Sequence, residues 1–363
     1  MSDLIIHDDG VYVGLPMHDY LADPALGSSS IKKLAANPPD AMWERPGNPL
    51  WDEPESQARA LGTLIHVAVL DGIKAFDAQF TCEPDRAAYP GALETNDDLK
   101  NWMRENGVKP LTGAKAELIE RIKASGLVEP PIWADIVAQT IGGRTAISAK
   151  ADRYVRLVQS LVSTAPDMAA LFSGGLAEVS LFWTIEHNGK RIRCKARPDY
   201  LRADGIADLK KFGQAPRFGR DLQSHLQSEA ANYGYPVQAV WHLRGLAALH
   251  DAPMVSASSQ ALCDLTAELV MAPGERGFTW VFVRTPGAPC AMALDFARAD
   301  AFGNPDPAWE HAESVIAKAL DNYVEYSTRF GDGLWLRVEP RRPCASHCWP
   351  LWMQSEDNAE ITV

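Results

Sequence analysis

Long hydrophobic runs are missing from this chain. No stretch approaches the roughly 18 apolar residues that cross a bilayer, and no charged-then-apolar leader follows Met1. The expectation is a cytoplasmic protein with neither a membrane span nor a signal peptide. Cysteine is sparse as well: six in 363 residues, at Cys82, Cys194, Cys263, Cys290, Cys344 and Cys348. They are scattered rather than spaced as a disulfide framework, so reduced thiols are expected. Positive charge is in deficit, with 35 Lys and Arg against 47 Asp and Glu and a net charge of -12. That argues against indiscriminate coating of nucleic acid, yet it leaves room for a local basic groove beside metal-binding carboxylates. A disordered composition is absent too, because 46% hydrophobic and 23% charged residues suffice for one large core or two modest ones.

The N-terminal part reads as helical. In "LGSSSIKKLAANPP", Ser28 to Ser30 are N-cap candidates for a short helix that Pro38 and Pro39 must end. "ARALGTLIHVAVLDG" places apolar residues at 61, 64, 65, 68 and 69, the spacing of a helix with one buried face, and His66 lies beside that face. Alone, such a histidine is either a packed residue or a ligand. Residues 94–127 read as a separate unit: Asn96 and Thr112 cap two short helices, Gly107 and Gly126 stop them, and an extended loop joins them.

Beyond residue 145, "RTAISAKADRYVRLVQSLVSTAP" reads as a helix capped by Ser148 and stopped by Pro166. "AEVSLFWTIEHNGKRIRCKARPD" reads as a β-hairpin turning at Asn188-Gly189, residues that accept the positive φ of tight turns. On its second strand Arg191, Arg193, Lys195 and Arg197 share one face, opposite Ile192, Cys194 and Ala196. The basic face is either a solvated strand surface or a phosphate-facing wall. "GIADLKKF" is then a short strand after an Ala203-Asp204-Gly205 turn, with Asp208 and Lys210 on one face about 7 Å apart. If the hairpin end brings Asp199 alongside, two carboxylates and an ammonium converge. Nearby carboxylates repel unless a cation joins them, and a hard divalent cation such as Mg²⁺ suits oxygen ligands. The lysine would then orient or deprotonate a water and stabilise charge on a phosphate under attack. In the last third, "GFTWVFVRTPGAPCAMALDF" suggests two strands and "PAWEHAESVIAKALDNYVEYSTRFG" an amphipathic helix ending at Gly331.

The Pro-Asp…Asp-x-Lys arrangement resembles the PD-(D/E)XK nuclease superfamily, and the segments around it resemble the RecE-like, exonuclease VIII-type exonucleases of phage and prophage recombination. The resemblance rests on "MHDYLADPALGSSSIKKLAANPP", "LGTLIH", "AEVSLFW", "CKARPDYL", "IADLKKF" and "YGYPVQAVWH", occurring in that order. It implies an α/β fold with a mixed central β-sheet flanked by helices. It also implies Mg²⁺ (Mn²⁺ as substitute) bound by His66, Asp199 and Asp208, with Lys210 as the motif lysine and Glu178, Tyr235 and Gln238 completing the catalytic set. DNA contacts would come from Ser28, Ser30, Lys115 and the Arg191, Arg193, Lys195, Arg197 face. The unit at 94–127 resembles the SAP-type helix, extended loop, helix DNA-binding module, most clearly in "LTGAKAELIERI".

Four parts follow: an N-terminal helical part (1–93), the SAP-like insert (94–127), the nuclease core (128–335) and a C-terminal tail (336–363). The implied activity is 5′ to 3′ digestion of linear double-stranded DNA to leave 3′ single-stranded tails. A RecT-like annealing partner, a ring-shaped homo-oligomer and a bacterial host cytoplasm are implied with it. Two other readings stand beside this one. One is a RecB-like single-strand nuclease with an iron-sulfur cluster, for which Cys344, His347 and Cys348 offer an incomplete ligand set. The other is a catalytically inactive DNA-binding or assembly protein on the same fold. Lys211 stands where a small hydroxyl residue usually follows the motif lysine, and Pro236 leaves the helix carrying Gln238 either starting near Val237 or kinked.

Overall fold

A computed structural model describes residues 4–51, 57–216, 218–251, 253–285, 287–300, 302–338 and 341. Cys344, His347, Cys348 and the acidic tail therefore lie outside the described residues. No helix among them is long and apolar enough to cross a membrane.

The architecture is mixed α/β, with two principal sheets. A five-stranded sheet runs in the order Ala291–Phe296, Gly277–Arg284, Gly205–Phe212, Tyr200–Arg202, Leu176–Ala177. Gly277–Arg284 pairs in parallel with Gly205–Phe212 and every other pairing in that sheet is antiparallel. A four-stranded sheet runs Lys190–Ala196, Ser180–His187, Gly10–Tyr12, Val255–Ser256. The hairpin linking the first two turns at Asn188 (φ 47°) and Gly189 (φ 74°), as its Asn-Gly dipeptide requires.

The main core lies between the inner faces of the two sheets. The helix Tyr235–Ala248 fills it, with Trp241 buried against Trp183 of the hairpin at a centroid distance of 5.3 Å. The helices Ser28–Ala36 and Pro307–Phe330 close this core through Ile31, Leu34, Ile316 and Leu320. On the other side of the five-stranded sheet, Leu209, Val281 and Val283 meet Leu64 and Ile65 of the helix Gln57–His66 and Val155 and Val158 of the helix Ala149–Thr164. The Gly205–Phe212 strand is thus covered on both faces, which explains why its alternation carries few exposed positions.

Several helix ends differ from the sequence expectation by one or two residues. Ser28, Ser29 and Ser30 form the first turn of their helix, and Gly27 occupies the cap without a side-chain bond. Thr95, not Asn96, caps Asn96–Glu105, because its hydroxyl and the Asp98 carboxylate can bond reciprocally across the first turn. Ala114, not Thr112, precedes Lys115–Lys123, where the Glu117 carboxylate accepts from the Ala114 N–H. These two helices share a core of Leu99, Met103, Leu118, Ile119 and Ile122 that extends to Ile132, past the expected limit at 127. Pro236 causes no kink: the preceding helix, Leu222–Tyr233, ends at left-handed Gly234, and a new one begins at Tyr235 with the proline in its first turn.

One close approach fixes the central strand pair. Gly205 has φ 151°, and a Cβ there would lie 2.1 Å from the Gly277 carbonyl oxygen on the neighbouring strand. Gly205→Ala is expected to destabilise the fold by about 3 kcal/mol, combining backbone strain with a clash that the paired strand cannot relieve. Urea unfolding of the variant checks this, with Gly189→Ala at the solvent-exposed turn as the milder control.

Candidate metal and phosphate site

The site forms where the chain twice crosses between the sheets. Leu176–Ala177 belongs to the five-stranded sheet and Ser180–His187 to the four-stranded one, so Glu178 and Val179 make the first crossing. Arg197-Pro198-Asp199 makes the return crossing from Lys190–Ala196 to Tyr200–Arg202. The crossings are tied by a main-chain bond from the Glu178 N–H to the Asp199 carbonyl, 2.9 Å. Glu178 pays for its place with a left-handed backbone, φ 53°, unusual for a residue with a side chain.

His66, the last residue of its helix, completes a cluster with these two carboxylates. Its Nδ1 lies 3.9 Å from Glu178 Oε1 and its Nε2 3.8 Å from Asp199 Oδ2. One ligand atom from each of the three residues falls within 4.8 Å of the others. With bonds of about 2.1 Å, an octahedral cation sets neighbouring ligand atoms about 3.0 Å apart and opposite ones about 4.2 Å. The observed separations are too long for hydrogen bonds. They start from opposite ring nitrogens, so only one of them can be a ligand-to-ligand distance around a single cation, and one atom per residue within 4.8 Å is the spacing that bears on the fit. The donor set of one imidazole and two carboxylates therefore fits a divalent cation. Burial alone would lower the His66 pKa, but Asp199 and Glu178 outweigh it and raise it.

Asp208 is placed differently from expectation. It is not part of that cluster: it is fully buried, and its carboxylate forms an ion pair with Lys210 two residues along the strand. Its other oxygen accepts from Gln238 Nε2 at 3.1 Å. Asp199 is anchored to the same strand, since its Oδ2 accepts from the Leu209 N–H at 2.7 Å. The ammonium of Lys210 stands 5.0 Å over the Tyr235 ring. Burial opposes its charge, yet Asp208 and Asp199 more than compensate and hold its pKa above the usual lysine range. Burial, with help from Asp199, pushes Asp208 up against the pull of Lys210. An ammonium held this strongly can act as an electrostatic partner for developing negative charge.

All seven residues from the sequence motifs, His66, Glu178, Asp199, Asp208, Lys210, Tyr235 and Gln238, are linked in this one neighbourhood. The basic strand face is not the open wall envisaged. Only Arg191 is exposed. Arg193 bonds the Asp23 carboxylate and the His7 carbonyl. Lys195 donates to the carbonyls of Tyr20 (2.7 Å) and Asp23 (2.6 Å), and burial draws its pKa down to about 8. Arg197 pairs with Glu178 at 2.8 Å and donates to the Leu15 carbonyl. Three of these cations thus hold the N-terminal segment onto the sheet. Ser28 and Ser30 begin a helix whose Lys32 feels the charges of Lys210 and Asp208, and Lys115 is exposed on the helical unit.

Sequence reasoning missed three neighbours. Asp71 ends a π-helical turn, Val67–Asp71, directly after His66, and its carboxyl is raised by burial and by Glu178. His242, one helical turn beyond Gln238, is kept neutral by burial, with its pKa lowered to about 4. Lys32 donates to the Tyr233 carbonyl at 3.0 Å, and burial lowers its pKa. Only His242 had a readable signal, its i+4 spacing from Gln238.

No family model and no curated protein matches this chain. Among solved structures it is similar to a crystal structure named "Putative exonuclease" from Eubacterium rectale, at 12% identity over 90% of this chain and 89% of that one, with a TM-score of 0.42. It is also similar to the crystal structure of SSO0001, at 13% identity over 48% of this chain and 68% of that one, with a TM-score of 0.22. Likenesses this distant leave the functional assignment to the residues of the site.

Two outcomes follow from the geometry. Glu178→Gln and Asp199→Asn should each weaken Mn²⁺ binding on the order of 10- to 100-fold, measured by calorimetry or by the Mn²⁺ resonance signal, and unchanged affinity would remove the residue from the ligand set. Lys195→Ala should lower unfolding stability by about 3 kcal/mol, because it strands two carbonyls and opens a cavity. DNA affinity of the folded variant should fall no further than that of Arg191→Ala.

Proposed function

We propose that this chain is a metal-dependent DNA exonuclease with a PD-(D/E)XK core of the RecE-like type. The observation that carries the reading is the junction of two arrangements: the His66–Glu178–Asp199 cluster, and the buried Asp208–Lys210 pair joined to it through the Asp199 bond to Leu209. Structural ion pairs seldom need a histidine and two further carboxylates beside them, whereas phosphodiester hydrolysis needs a cation site and a fixed positive charge at one phosphate.

His66, Glu178 and Asp199 would hold the cation, with Asp208 at the rear of the site. When bound, a divalent cation lowers the pKa of a bound water and neutralises phosphate charge. The protein's own part is positional. Gln238 and Lys210 fix the two oxygens of Asp208, and Tyr235 supports the ammonium from behind. Lys210 then faces the phosphate as a preorganised cation that requires no rearrangement as charge develops.

The finer reading is attack on linear double-stranded DNA from 5′ ends, leaving 3′ tails for a RecT-like annealing protein, by a ring-shaped homo-oligomer that uses Mg²⁺ and accepts Mn²⁺. The helical unit at residues 94–127 would add a second DNA contact. These features are what the family resemblance implies, and the second DNA contact is what the SAP-type resemblance implies. The RecB-like alternative turns on Cys344, His347 and Cys348, which lie outside the described residues; among the described residues no cysteine joins a candidate metal cluster.

Linear duplexes labelled at the 5′ or the 3′ end, incubated with and without Mg²⁺, test the proposal. Mg²⁺-dependent release of the 5′ label is expected. Asp208→Asn should abolish release while DNA binding persists, and Lys210→Ala should slow it by on the order of 10². DNA binding by the wild-type protein without release of either label would favour the inactive assembly protein instead.

A further inference from the structure

Two tyrosines lead outward from Lys210. Tyr235 lies under the ammonium at 5.0 Å, and the Tyr233 ring is stacked on Tyr235 at a centroid distance of 5.7 Å with 19° between planes. Tyr235 is largely covered, but Tyr233 is 58% exposed. Large aromatics this exposed are common singly on protein surfaces. This one is held in place. The helix Leu222–Tyr233 stops and Tyr235–Ala248 starts with Gly234 alone between them, in the left-handed conformation at φ 63° and ψ 38°. Pro236 stiffens the start of the second helix, and the Tyr233 carbonyl is taken by Lys32. The left-handed conformation at residue 234 suits glycine, and the Lys32 side chain passes close beside it.

We propose that Tyr233 is a base-stacking platform: the nucleobase beside the scissile phosphate lies on its exposed ring and extends the Lys210, Tyr235, Tyr233 stack by one member. This inference rests on the nuclease reading and makes it more specific. A base inside a duplex has both faces occupied by its neighbours. A free face is offered by an unpaired base or by the outer side of the terminal base at a DNA end. The substrate at the moment of cleavage is therefore a strand end or an opened strand, not an internal position of an intact duplex. Stacking accepts every base, because each has a π-face, so the platform selects for ends and opened strands without selecting for sequence. The ring already lies against Tyr235, so less side-chain freedom is lost when the base arrives.

The test has a protein arm and a DNA arm. In an Asp208→Asn background, which stops turnover, DNA carrying 2-aminopurine at the terminal position should lose fluorescence on binding. Adding Tyr233→Ala should restore that fluorescence, and adding Tyr233→Phe should not. In the active protein, Tyr233→Ala should raise KM by roughly 5- to 150-fold, more than it changes kcat. Replacing the same nucleotide by an abasic residue should cost the wild-type protein a similar factor and cost Tyr233→Ala nothing further. A Tyr233→Ala protein that quenches and cleaves as wild type, or that loses its usual factor on the abasic substrate, overturns the platform and leaves the nuclease reading standing. Failure of the wild-type protein to cleave DNA with Mg²⁺ overturns the nuclease reading, and the platform with it.

Discussion

Asp208 has no exposed surface, and a buried carboxylate must be paired or neutralised. Much of the site can be derived from that requirement. Lys210 supplies the opposite charge from the same strand, Gln238 supplies a donor to the second oxygen, and Tyr235 carries the ammonium on its ring face. The helix Tyr235–Ala248 must then lie close against this strand, and it does so as the central element of the main core. His242 follows on the same helix, and burial beside Lys210 leaves it neutral. The polar cluster is surrounded by aromatic packing: Trp280 and Phe282 are the register partners of Asp208 and Lys210 on the parallel strand. Low dielectric strengthens the ion pair and makes the loss of either member costly.

The sequence was most legible where structure is local. Asn188-Gly189 specifies a tight hairpin, the gap between Asp208 and Lys210 specifies one strand face, and the apolar spacing from 61 to 69 specifies a helix with one buried side. Cap residues were misplaced by one or two positions, since several neighbouring side chains can serve and the fit of the helix onto its core decides among them. The grouping of ligands was less legible. Period-2 reasoning puts Asp208 and Lys210 on one face but is silent on Asp199 and Glu178, which reach the site because two chain crossings between sheets lie side by side. Asp71 was hidden for a related reason: a π-helical turn changes the angular relation between residues five apart, and no apolar pattern signals it.

The alternating cations of the Lys190–Ala196 strand show how far a period-2 pattern can mislead. Periodicity says correctly that Arg193 and Lys195 point away from Ile192, Cys194 and Ala196. It does not say what covers the other face. The segment from His7 to Leu26 crosses there, the Leu26 main chain bonding Arg193 and Lys195, and the basic side chains find carbonyls and the buried Asp23. A phosphate wall and a clasp for an N-terminal segment have the same strand sequence, and only contacts distant in the chain distinguish them.

The helical unit between the N-terminal helices and the two principal sheets is closed at its base by a β-bridge. Leu93 and Ile132 pair in parallel, the Leu93 N–H bonding the Pro131 carbonyl and the Trp133 N–H bonding the Leu93 carbonyl. Chain entry and chain exit are therefore neighbours, and the unit's core of Leu99, Met103, Leu118, Ile119 and Ile122 is filled from within. Because closure entropy grows only slowly with loop length, a segment with joined ends can be long, short or exchanged at small thermodynamic cost to its host. In evolutionary terms this is a port: a place where a lineage can fit one accessory module or another while the crossings that carry Glu178 and Asp199 stay as they are.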